Sequence, residues 1–289
     1  MDTILITGAS GFVGSRLTQH LSPTHRIVTL SRRPPIASAS GQPAATVLGD
    51  FTSAEDLAQL DAYEIDAVVH LAAETGGTSE ESGLMVNVVG TRRLLRYLAD
   101  RGVRRFVVAS SIAAAGCLSP EFLPRQLPIP ADHPCDARDA YGLSKALMEE
   151  VCAYLQRIHP DLAMTVLRLG VVVPDNTPPV DGDRLSQIDV PFCSLATIDV
   201  RDVLGFVARA LELEPGFRQF NAVAEWMPTA LSVRAALAAT LGDRGESLDL
   251  SAYEEDGPTA LYDIADLTRT LGRPAVDLRG TSVTLQQSS

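Results

Sequence analysis

The stretch TILITGASGFVG at residues 3–14 decides the fold, because it passes from a strand pattern through a glycine-rich turn into a helix pattern. Thr3–Thr7 is short, apolar and β-branched, as in a buried strand. The glycines from Gly8 to Gly14 follow a GxxGxxG spacing, and apolar residues at helical intervals continue to Leu21. Such a turn lets a pyrophosphate approach the backbone at a helix N-terminus, where free N–H groups and the positive dipole end bind anions. The stretch therefore predicts the first strand, turn and helix of a dinucleotide-binding unit.

The composition of the 289 residues fits a globular protein with one large domain or slightly more, since 46% are hydrophobic and 21% are charged. The formal net charge of −12 disfavours nucleic acid and anionic membranes as partners. No apolar run reaches the length of a membrane span and no targeting segment is evident, so we expect a cytoplasmic protein. The four cysteines lack CxxC spacing and nearby paired histidines, which predicts neither a metal site nor a disulfide framework.

The residues after the second predicted strand bear on the choice of cofactor. Arg26–Leu30 has the strand pattern, and Ser31, Arg32 and Arg33 follow it. In dinucleotide sites, an acid at this position accepts a hydrogen bond from the ribose 2′-hydroxyl, whereas an arginine accommodates a 2′-phosphate. Because an acid is absent and two cations are present, the stretch favours NADP over NAD. Two solvated surface arginines are the alternative interpretation.

Two further stretches place functional candidates at the ends of predicted strands. Asp50 could accept a hydrogen bond from an adenine amino group, and it is equally suited to cap the turn that follows. Residues 67–73 form a buried strand that ends in Ala72 and Ala73, small residues that let the backbone pass close to a cofactor. His70, within this strand, is interpreted as a packed core histidine.

Tyr141 and Lys145 are four residues apart, so on a helix they lie on one face and can share a site. Lys145 is the only lysine in the chain, and the other 23 of the 24 basic residues are arginine. A nearby ammonium favours phenolate over phenol, so we expect Lys145 to lower the pKa of Tyr141 from its usual value of about 10. The pair predicts a general acid/base. A surface helix with an incidental tyrosine and a solvated lysine is the alternative.

Several polar residues lie inside otherwise apolar elements. Asn87, in a predicted helix from Leu84 to Asp100, suggests a buried hydrogen bond rather than chemistry. Ser110 and Ser111 end a predicted strand at the edge where parallel sheets bind ligands; we interpret Ser111 as functional and Ser110 as a turn serine. Arg168 lies within another strand and needs partners there, so it is a structural tether or an anion hook, with the tether favoured.

These motifs occur in a recognisable order along the chain: GxxGxxG at 8–14, Asp50, HLAA at 70–73, Asn87 with GT at 90–91, SS at 110–111 and YxxxK at 141–145. In this order, roughly residues 1–175 resemble the extended short-chain dehydrogenase/reductase family. The resemblance implies an α/β protein with a doubly wound parallel-sheet Rossmann fold and a small C-terminal substrate lobe. We expect an NAD(P)-binding domain at residues 1–170 and a substrate lobe at 171–289 that is interleaved with the last Rossmann elements.

The resemblance also implies a catalytic set of Ser111, Tyr141 and Lys145. Ser111 is preferred over Ser110 because it lies five residues before Gly116, as the family's catalytic hydroxyl usually does. Tyr141 would move the proton of a substrate hydroxyl or carbonyl, Ser111 would hydrogen-bond the same oxygen, and Lys145 would hold the nicotinamide ribose. The expected cofactor contacts are Gly8, Ser10, Gly11, Phe12, Val13, Gly14, Ser31, Arg32, Arg33, Asp50, Phe51, Leu71, Ala72, Ala73, Asn87, Tyr141 and Lys145. The expected substrate contacts are Thr75, Ser111, Ile112, Tyr141 and Arg168, and no metal is expected.

Departures from the family pattern narrow the expected reaction. Ile112 and Ala113 follow Ser111 where the sugar dehydratases have an Asp-Glu pair, so dehydration is not expected. The segment at 174–197 is short for gripping a nucleotide diphosphate, which favours a small polar substrate, as in the uronate or aldose-type sugar dehydrogenases that the chain resembles. The leading hypothesis is an NAD(P)-dependent oxidoreductase acting on a small sugar or sugar acid. A sugar epimerase is the first alternative, and a non-catalytic NADP-binding regulatory protein, whose kind commonly lacks the Tyr-Lys pair, is the second.

A homodimer is expected from the resemblance, because extended relatives commonly pair the two helices that here span about 84–100 and 139–158. The first of these helices carries apolar residues at helical spacing, as in Leu84, Val88, Leu95 and Leu98. The alternative is that this stripe faces the sheet.

Overall fold

A computed structural model describes residues 1–34, 43–175, 177–253 and 259–279 of the chain. Its strands are β1 Thr3–Thr7, β2 Arg26–Ser31, β3 Ala45–Leu48, β4 Ala67–His70, β5 Arg105–Ser111, β6 Ala163–Leu169, β7 Val171–Val173, β8 Thr197–Asp199 and β9 Gly216–Ala222. Seven of these described strands form one parallel sheet in the order β3-β2-β1-β4-β5-β6-β9, and β7 pairs with β8 in a separate two-stranded sheet.

The strand order places a topological switch point between β1 and β4. The chain runs outward from β1 through β2 to β3, and then returns to the other side of β1 to form β4. Connections therefore leave the carboxyl ends of β1 and β4 in opposite directions and open a crevice there, which is where open α/β sheets bind ligands. The predicted doubly wound Rossmann fold is confirmed.

The α-helices are α1 Phe12–Leu21, α2 Ala54–Ala58, α3 Glu80–Gly83, α4 Thr91–Ala99, α5 Ala140–Ile158, α6 Pro191–Ser194, α7 Val200–Ala210, α8 Val233–Leu241 and α9 Ala265–Leu271. Helices α1, α7 and α9 share one apolar core with one face of the sheet. Helices α4 and α5 share a second core with the opposite face. The sheet is thus covered on both sides, as parallel sheets require.

The predicted helix from Leu84 to Asp100 is not uniform. A π-helical segment, Leu84–Gly90, precedes α4. Within α4, Leu95 and Leu98 are buried in the core beneath the sheet. Those two members of the predicted dimer stripe therefore face the sheet, which was the alternative interpretation.

Elements after residue 170 contribute to both parts of the molecule. Helix α7 packs on the seven-stranded sheet, and strand β9 pairs with β6 at its edge. A third apolar core joins residues after Ser111, such as Ile112 and Cys117, to residues of the C-terminal part, such as Phe192 and Tyr262. The boundary at residue 170 stays a prediction. Among the described residues, no helix combines the length and apolarity that a membrane crossing needs, and no cluster of metal-ligating side chains occurs.

Candidate active site

The glycine turn between β1 and α1 forms a tight cradle. Gly8 has a φ of +73°, and a Cβ atom there would lie 2.8 Å from the backbone nitrogen of Ala72. A Cβ on Gly14 would lie 2.2 Å from the carbonyl oxygen of Gly8, so only glycine lets the helix start so close to the strand. No described side chain caps the first turn of α1, whose N-cap residue is Gly11. Its open N–H groups fit a pyrophosphate, as the sequence predicts.

Ser10, Phe12 and Val13 belong to the same turn and first helical residues, next to the cradle. Phe12 is exposed, and the guanidinium of Arg16 lies 4.1 Å from the centre of its ring. Ser10 and Val13 are half-buried. These residues border the crevice, and their contacts with a cofactor stay predictions.

Beyond β2, the two arginines of the predicted 2′-phosphate site are exposed. The Ser31 hydroxyl donates to the carbonyl of Arg33, so this serine shapes the turn. Arg32 lies near Glu74, whose carboxylate also accepts from the Thr78 and Ser82 hydroxyls. These two hydroxyls and the guanidinium of Arg32 lower the pKa of Glu74. Glu74 thus brings a negative charge close to Arg32, which the residues directly after the second strand did not indicate.

Asp50 occupies the turn after β3 and is partly engaged in it. Its Oδ1 atom accepts from the backbone nitrogen of Thr52 at 2.9 Å and from the Thr52 hydroxyl at 2.8 Å. The capping interpretation is therefore confirmed, and the adenine contact stays a prediction. Phe51 is a core residue, because its ring packs edge-on against His70 with the ring centres 4.9 Å apart.

The end of β4 is fixed by hydrogen bonds that the sequence could not specify. His70 is buried between the hydroxyls of Thr7 at 2.7 Å and Thr91 at 2.9 Å. Burial lowers the pKa of His70 to about 3, which keeps it neutral and confirms a packed core histidine. The backbone nitrogen of Ala72 donates to the Thr7 hydroxyl, so the stretch Leu71–Ala73 passes over β1 beside Gly8.

Asn87 ties the loop after β4 to α5. Its Oδ1 atom accepts from the backbone nitrogen of Glu74 at 2.8 Å, and its Nδ2 atom donates to the Glu74 carbonyl and the Ser144 hydroxyl, both at 2.9 Å. This arrangement confirms the buried hydrogen bond. These bonds give Asn87 a positioning role, and its expected contact with a cofactor stays a prediction.

Ser111 and Tyr141 meet at the carboxyl end of β5. The Ser111 side chain accepts from the backbone nitrogen of Ala113 at 3.1 Å and donates to the Tyr141 hydroxyl. Tyr141 lies in the first turn of α5, which Asp139 caps by accepting from the backbone nitrogen of Gly142 at 2.7 Å. The structure therefore brings together the serine and tyrosine that the sequence pairs across 30 residues.

Lys145 lies one turn further along α5 and points into the protein. Its Nζ atom lies 5.8 Å from the centre of the Tyr141 ring and donates to the carbonyl of Ala109 at 2.8 Å. Only 3% of the residue is exposed. Burial lowers the pKa of Lys145 to about 8. The solvated-lysine interpretation is excluded.

The prediction that Lys145 lowers the pKa of Tyr141 is wrong for this arrangement. Burial raises the pKa of Tyr141 above its ordinary 10.0, and the hydrogen bond from Ser111 lowers it only in part. The negative charges that Cys193, Asp139 and Cys117 can carry raise the pKa further. The helical spacing places both residues on one face, but the ammonium is directed at a carbonyl rather than at the phenol.

Gly142 was not singled out from the sequence, although it is required by the packing. A Cβ atom there would lie 2.5 Å from the carbonyl oxygen of Ala113. Its absence lets α5 approach the 3-10 turn Ile112–Ala115, which brings Tyr141 to Ser111. The YG dipeptide at 141–142 was the available signal.

Ser110 and Arg168 belong to a buried ionic network centred on Glu149 of α5. The Glu149 carboxylate accepts from Ser110 at 2.5 Å and from Nε and Nη2 of Arg168 at 2.9 and 2.7 Å. Ser110 is therefore not the turn serine that was expected. Nη1 of Arg168 donates to the carbonyl of His133. Since all three guanidinium nitrogens donate within the protein, Arg168 acts as the favoured structural tether and not as the expected substrate contact.

The remaining substrate candidates differ in accessibility. Thr75 is exposed in the loop after β4. Ile112 is 1% exposed and belongs to the third core, so its side chain is not available as the predicted substrate contact.

Comparison with known proteins places this site in a family. Residues 4–186 match the model of the NAD dependent epimerase/dehydratase family. An N-acetyl-α-D-glucosaminyl-diphospho-ditrans,octacis-undecaprenol 4-epimerase from Escherichia coli O157:H7 is 32% identical over 174 residues, which are 59% of this chain and 49% of that protein. The chain spans about half the length of the curated relatives it matches.

Solved structures share the whole fold. A short-chain dehydrogenase/reductase superfamily protein from Agrobacterium tumefaciens with bound NAD superposes with a TM-score of 0.68 at 26% identity, covering 96% of this chain and 93% of its own. A mutated uronate dehydrogenase gives a TM-score of 0.67 at 20% identity, covering 96% and 82%. With the glycine cradle and the Ser111-Tyr141-Lys145 cluster in place, the chain belongs to the NAD-dependent epimerase/dehydratase family of extended short-chain dehydrogenases/reductases.

Proposed function

We propose that the protein is an NAD(P)-dependent oxidoreductase that moves a hydride to or from a hydroxyl- or carbonyl-bearing carbon of a small polar substrate. The observation that carries this proposal is the hydrogen bond between Ser111 and Tyr141, with Lys145 buried beside the tyrosine ring. The cluster lies at the carboxyl end of β5, on the same sheet edge as the glycine cradle.

Each residue has a defined task in the proposed reaction. Tyr141 takes or gives the proton of the substrate oxygen, and Ser111 hydrogen-bonds that oxygen. Lys145 is buried beside the tyrosine ring, and its ammonium is placed to hold a ribose hydroxyl. A nicotinamide cofactor, held by the Gly8–Gly14 turn and the first turn of α1, supplies the hydride chemistry when bound.

The proposed substrate class is a small sugar, sugar acid or similar metabolite. The short segment at 174–197 supports it, because little chain is present there to enclose a nucleotide diphosphate. An epimerase is the second candidate, favoured by the 4-epimerases among the relatives. A regulatory NADP-binding protein is disfavoured by the intact Ser111-Tyr141-Lys145 cluster.

Release of reduced cofactor separates the two enzymatic candidates. The purified protein is mixed with oxidised cofactor and a panel of aldoses, uronic acids, hydroxy acids and UDP-sugars, and the absorbance of reduced nicotinamide is followed. Multiple turnovers with net reduction support the oxidoreductase. Interconversion of sugar isomers without net reduction would replace it with the epimerase, and neither signal across the panel would contradict both.

Cofactor preference gives a further expected result. With NADP, Arg32 or Arg33 would form charge-assisted hydrogen bonds to the 2′-phosphate, worth about 1.5–3 kcal/mol, so we expect roughly tenfold tighter binding of NADP than of NAD. The energy of these hydrogen bonds should lie at the lower end of that range, because both arginines are exposed and Glu74 lies near Arg32. Calorimetry at moderate salt measures both affinities, and equal affinities or an NAD preference would contradict the prediction.

The paired variant for this test is Ser31→Asp with Arg32→Ala, which installs an acceptor for a free 2′-hydroxyl and removes one cation. We expect it to prefer NAD. Arg157→Ala, an exposed arginine on α5, is the matched control and should leave the cofactor ratio unchanged.

We also propose that the protein forms a homodimer, through an interface made of residues other than the predicted stripe of Leu84, Val88, Leu95 and Leu98. Met85 and Val89 on the π-helical segment are 54% and 39% exposed, and Leu147 and Tyr154 on the neighbouring α5 are 39% and 47% exposed. Apolar side chains on two adjacent helices form a surface that a second copy can cover by two-fold symmetry.

Light scattering at micromolar concentration tests the dimer. We expect twice the chain mass for the wild type and a monomer for Met85→Asp with Leu147→Asp. Leu231→Asp is the matched control, since Leu231 is 40% exposed in the C-terminal part, and it should stay dimeric. A monomeric wild type would contradict the prediction.

A further inference from the structure

A cavity of about 650 Å³ lies beside α5, between this helix, strands β6 and β9, and the start of α9. We call it the α5 cavity. Leu143, Ala146 and Glu150 form its α5 wall. In a helix that advances about 100° per residue, these positions lie on the side opposite Tyr141 and Lys145. The helix therefore separates the α5 cavity from the catalytic cluster, and the cavity has no task in the proposed reaction.

The α5 cavity is acidic. Besides Glu149, four carboxylate residues line it, which are Asp132, Glu150, Asp263 and Asp266. The guanidinium of Arg168, which also lines the cavity, is bonded to Glu149 at 2.9 and 2.7 Å. Asp266 pairs with Arg269, whereas the other three form no ion pair within the part of the chain that the structure describes. The cavity thus has an excess of negative charge.

His133 also lines the α5 cavity, and its hydrogen bonds hold it in the neutral form. Its Nδ1 atom donates to the carbonyl of Pro134 at 2.8 Å, and its Nε2 atom accepts from the backbone nitrogen of Arg125 at 3.3 Å. Burial lowers the pKa of His133 below its usual range. The imidazole therefore adds no positive charge to the cavity at neutral pH.

A buried acceptor without a partner lies on the same side of the sheet. Asn221 is 1% exposed, and its Nδ2 atom donates to the carbonyls of Ile129 at 2.9 Å and Asp263 at 3.2 Å, which fixes the orientation of the amide. Its Oδ1 atom accepts no hydrogen bond from the described residues. Because side chains alternate along a strand, Asn221 points to the same face as Phe217 and Gln219, and all three line the cavity. A buried acceptor of this kind calls for a donor.

The remaining lining is largely apolar, as at Leu143, Ala146 and Phe217. The volume is in the range of small-molecule sites, about 300–1,000 Å³. Among the described residues, no three acidic, histidine or cysteine side chains are grouped as metal ligands. Carboxylates that are spread around an apolar wall suit a ligand whose N–H donors are separated by hydrocarbon, rather than a metal ion.

We propose that the α5 cavity binds a small organic cation with an apolar body, such as an alkyl diamine or a polyamine. Its ammonium groups supply the positive charge and the hydrogen-bond donors that the carboxylates accept, and its methylene chain covers the apolar wall. Ser111, Tyr141 and Lys145 are not among the described residues that line the cavity, so binding is expected whether or not the protein turns over a substrate.

Calorimetry with 1,6-diaminohexane as the probe tests the site on the full-length protein at neutral pH and moderate salt. We expect saturable binding of one diamine per chain. Neutral 1,6-hexanediol has the same length and should bind at least about tenfold more weakly, because its hydroxyls carry no charge for the carboxylates. Adipate, with the opposite charge, should not bind. Absence of saturable diamine binding, or equal affinities for the diamine and the diol, would overturn the proposal.

A double variant locates the charge that binds the probe. Asp132→Asn with Glu150→Gln changes two exposed side chains to amides of the same shape, and we expect at least about tenfold weaker diamine binding. Glu55→Gln with Asp243→Asn is the matched control, since it changes the net charge equally at exposed positions outside the cavity. The control should keep the wild-type affinity. An equal loss in both double variants would show attraction to the acidic chain as a whole and would overturn the site.

Cys135 provides an independent reporter, because it is exposed and lines the α5 cavity. Its alkylation by neutral iodoacetamide, followed by mass spectrometry, should slow when the diamine is saturating. An unchanged rate beside saturable binding would place the diamine elsewhere and overturn the proposal. A second copy of this chain, with an arginine inserted, is the alternative occupant. A lower mass of Asp132→Asn with Glu150→Gln than of the wild type in light scattering would favour that copy over the small cation.

Discussion

Tyr141→Phe is expected to lower kcat by roughly 10²- to 10⁴-fold, the range that a positioned proton-transfer group contributes. The ring, its packing and the Lys145 position are retained, so cofactor affinity should stay close to that of the wild type. Only the hydroxyl that bonds Ser111 is lost. Steady-state kinetics on the best substrate of the panel, with cofactor affinity measured by calorimetry, separates these effects.

The matched control for this variant is Tyr154→Phe, on the same helix. Tyr154 is 47% exposed and distant in sequence from the Ser111 contact, so removing its hydroxyl should leave kcat unchanged. Near wild-type turnover in Tyr141→Phe would reject the assigned acid/base. An equal loss in both variants would point to a general effect on α5.

Glu149→Gln is expected to destabilise the fold by about 3–5 kcal/mol, the cost of leaving a buried charge without its partner. Arg168 and Glu149 have side-chain exposures of only 5% and 6%, and their nitrogen and oxygen atoms approach to 2.7 Å. A neutral amide cannot balance the guanidinium. Denaturant unfolding should show a lower midpoint with an unchanged m-value.

Two further variants make the test specific. Glu150→Gln, at the exposed neighbouring position, should change stability by less than about 0.5 kcal/mol. Replacing the whole network by Glu149→Leu, Arg168→Met and Ser110→Ala should recover most of the loss, because a buried ion pair often contributes little over apolar residues of similar size. Equal stability of Glu149→Gln and the wild type would show that Arg168 does not depend on the charge of Glu149.

The elements that rest on local patterns were predictable. The strand, glycine turn and helix at 3–21 follow from spacing alone, because each feature is set by residues a few positions apart. The resemblance carried by the family motifs then predicted the parallel sheet and the Ser111-Tyr141-Lys145 cluster. The seven-stranded parallel sheet is confirmed, and the structure brings the three residues of the cluster together.

The failures concern contacts between residues distant in sequence. Nothing near Ser110 or Arg168 in the sequence shows that Glu149 lies between them, so the sequence predicts a turn residue at Ser110 and leaves the partner of the favoured Arg168 tether open. Likewise, the spacing of Tyr141 and Lys145 gives their common helix face but not the direction of the ammonium, which the Ala109 carbonyl determines. Burial, and with it the sign of each pKa shift, is a property of the assembled core.

The deep position of the single lysine has a practical consequence for chemical labelling. Since Lys145 is 3% exposed, the one lysine side chain of this sequence is shielded from amine-reactive reagents in the folded protein. Succinimidyl esters should therefore leave Lys145 unmodified in the folded protein and modify it only when α5 separates from the sheet, so acylation of this lysine reports unfolding around the catalytic cluster.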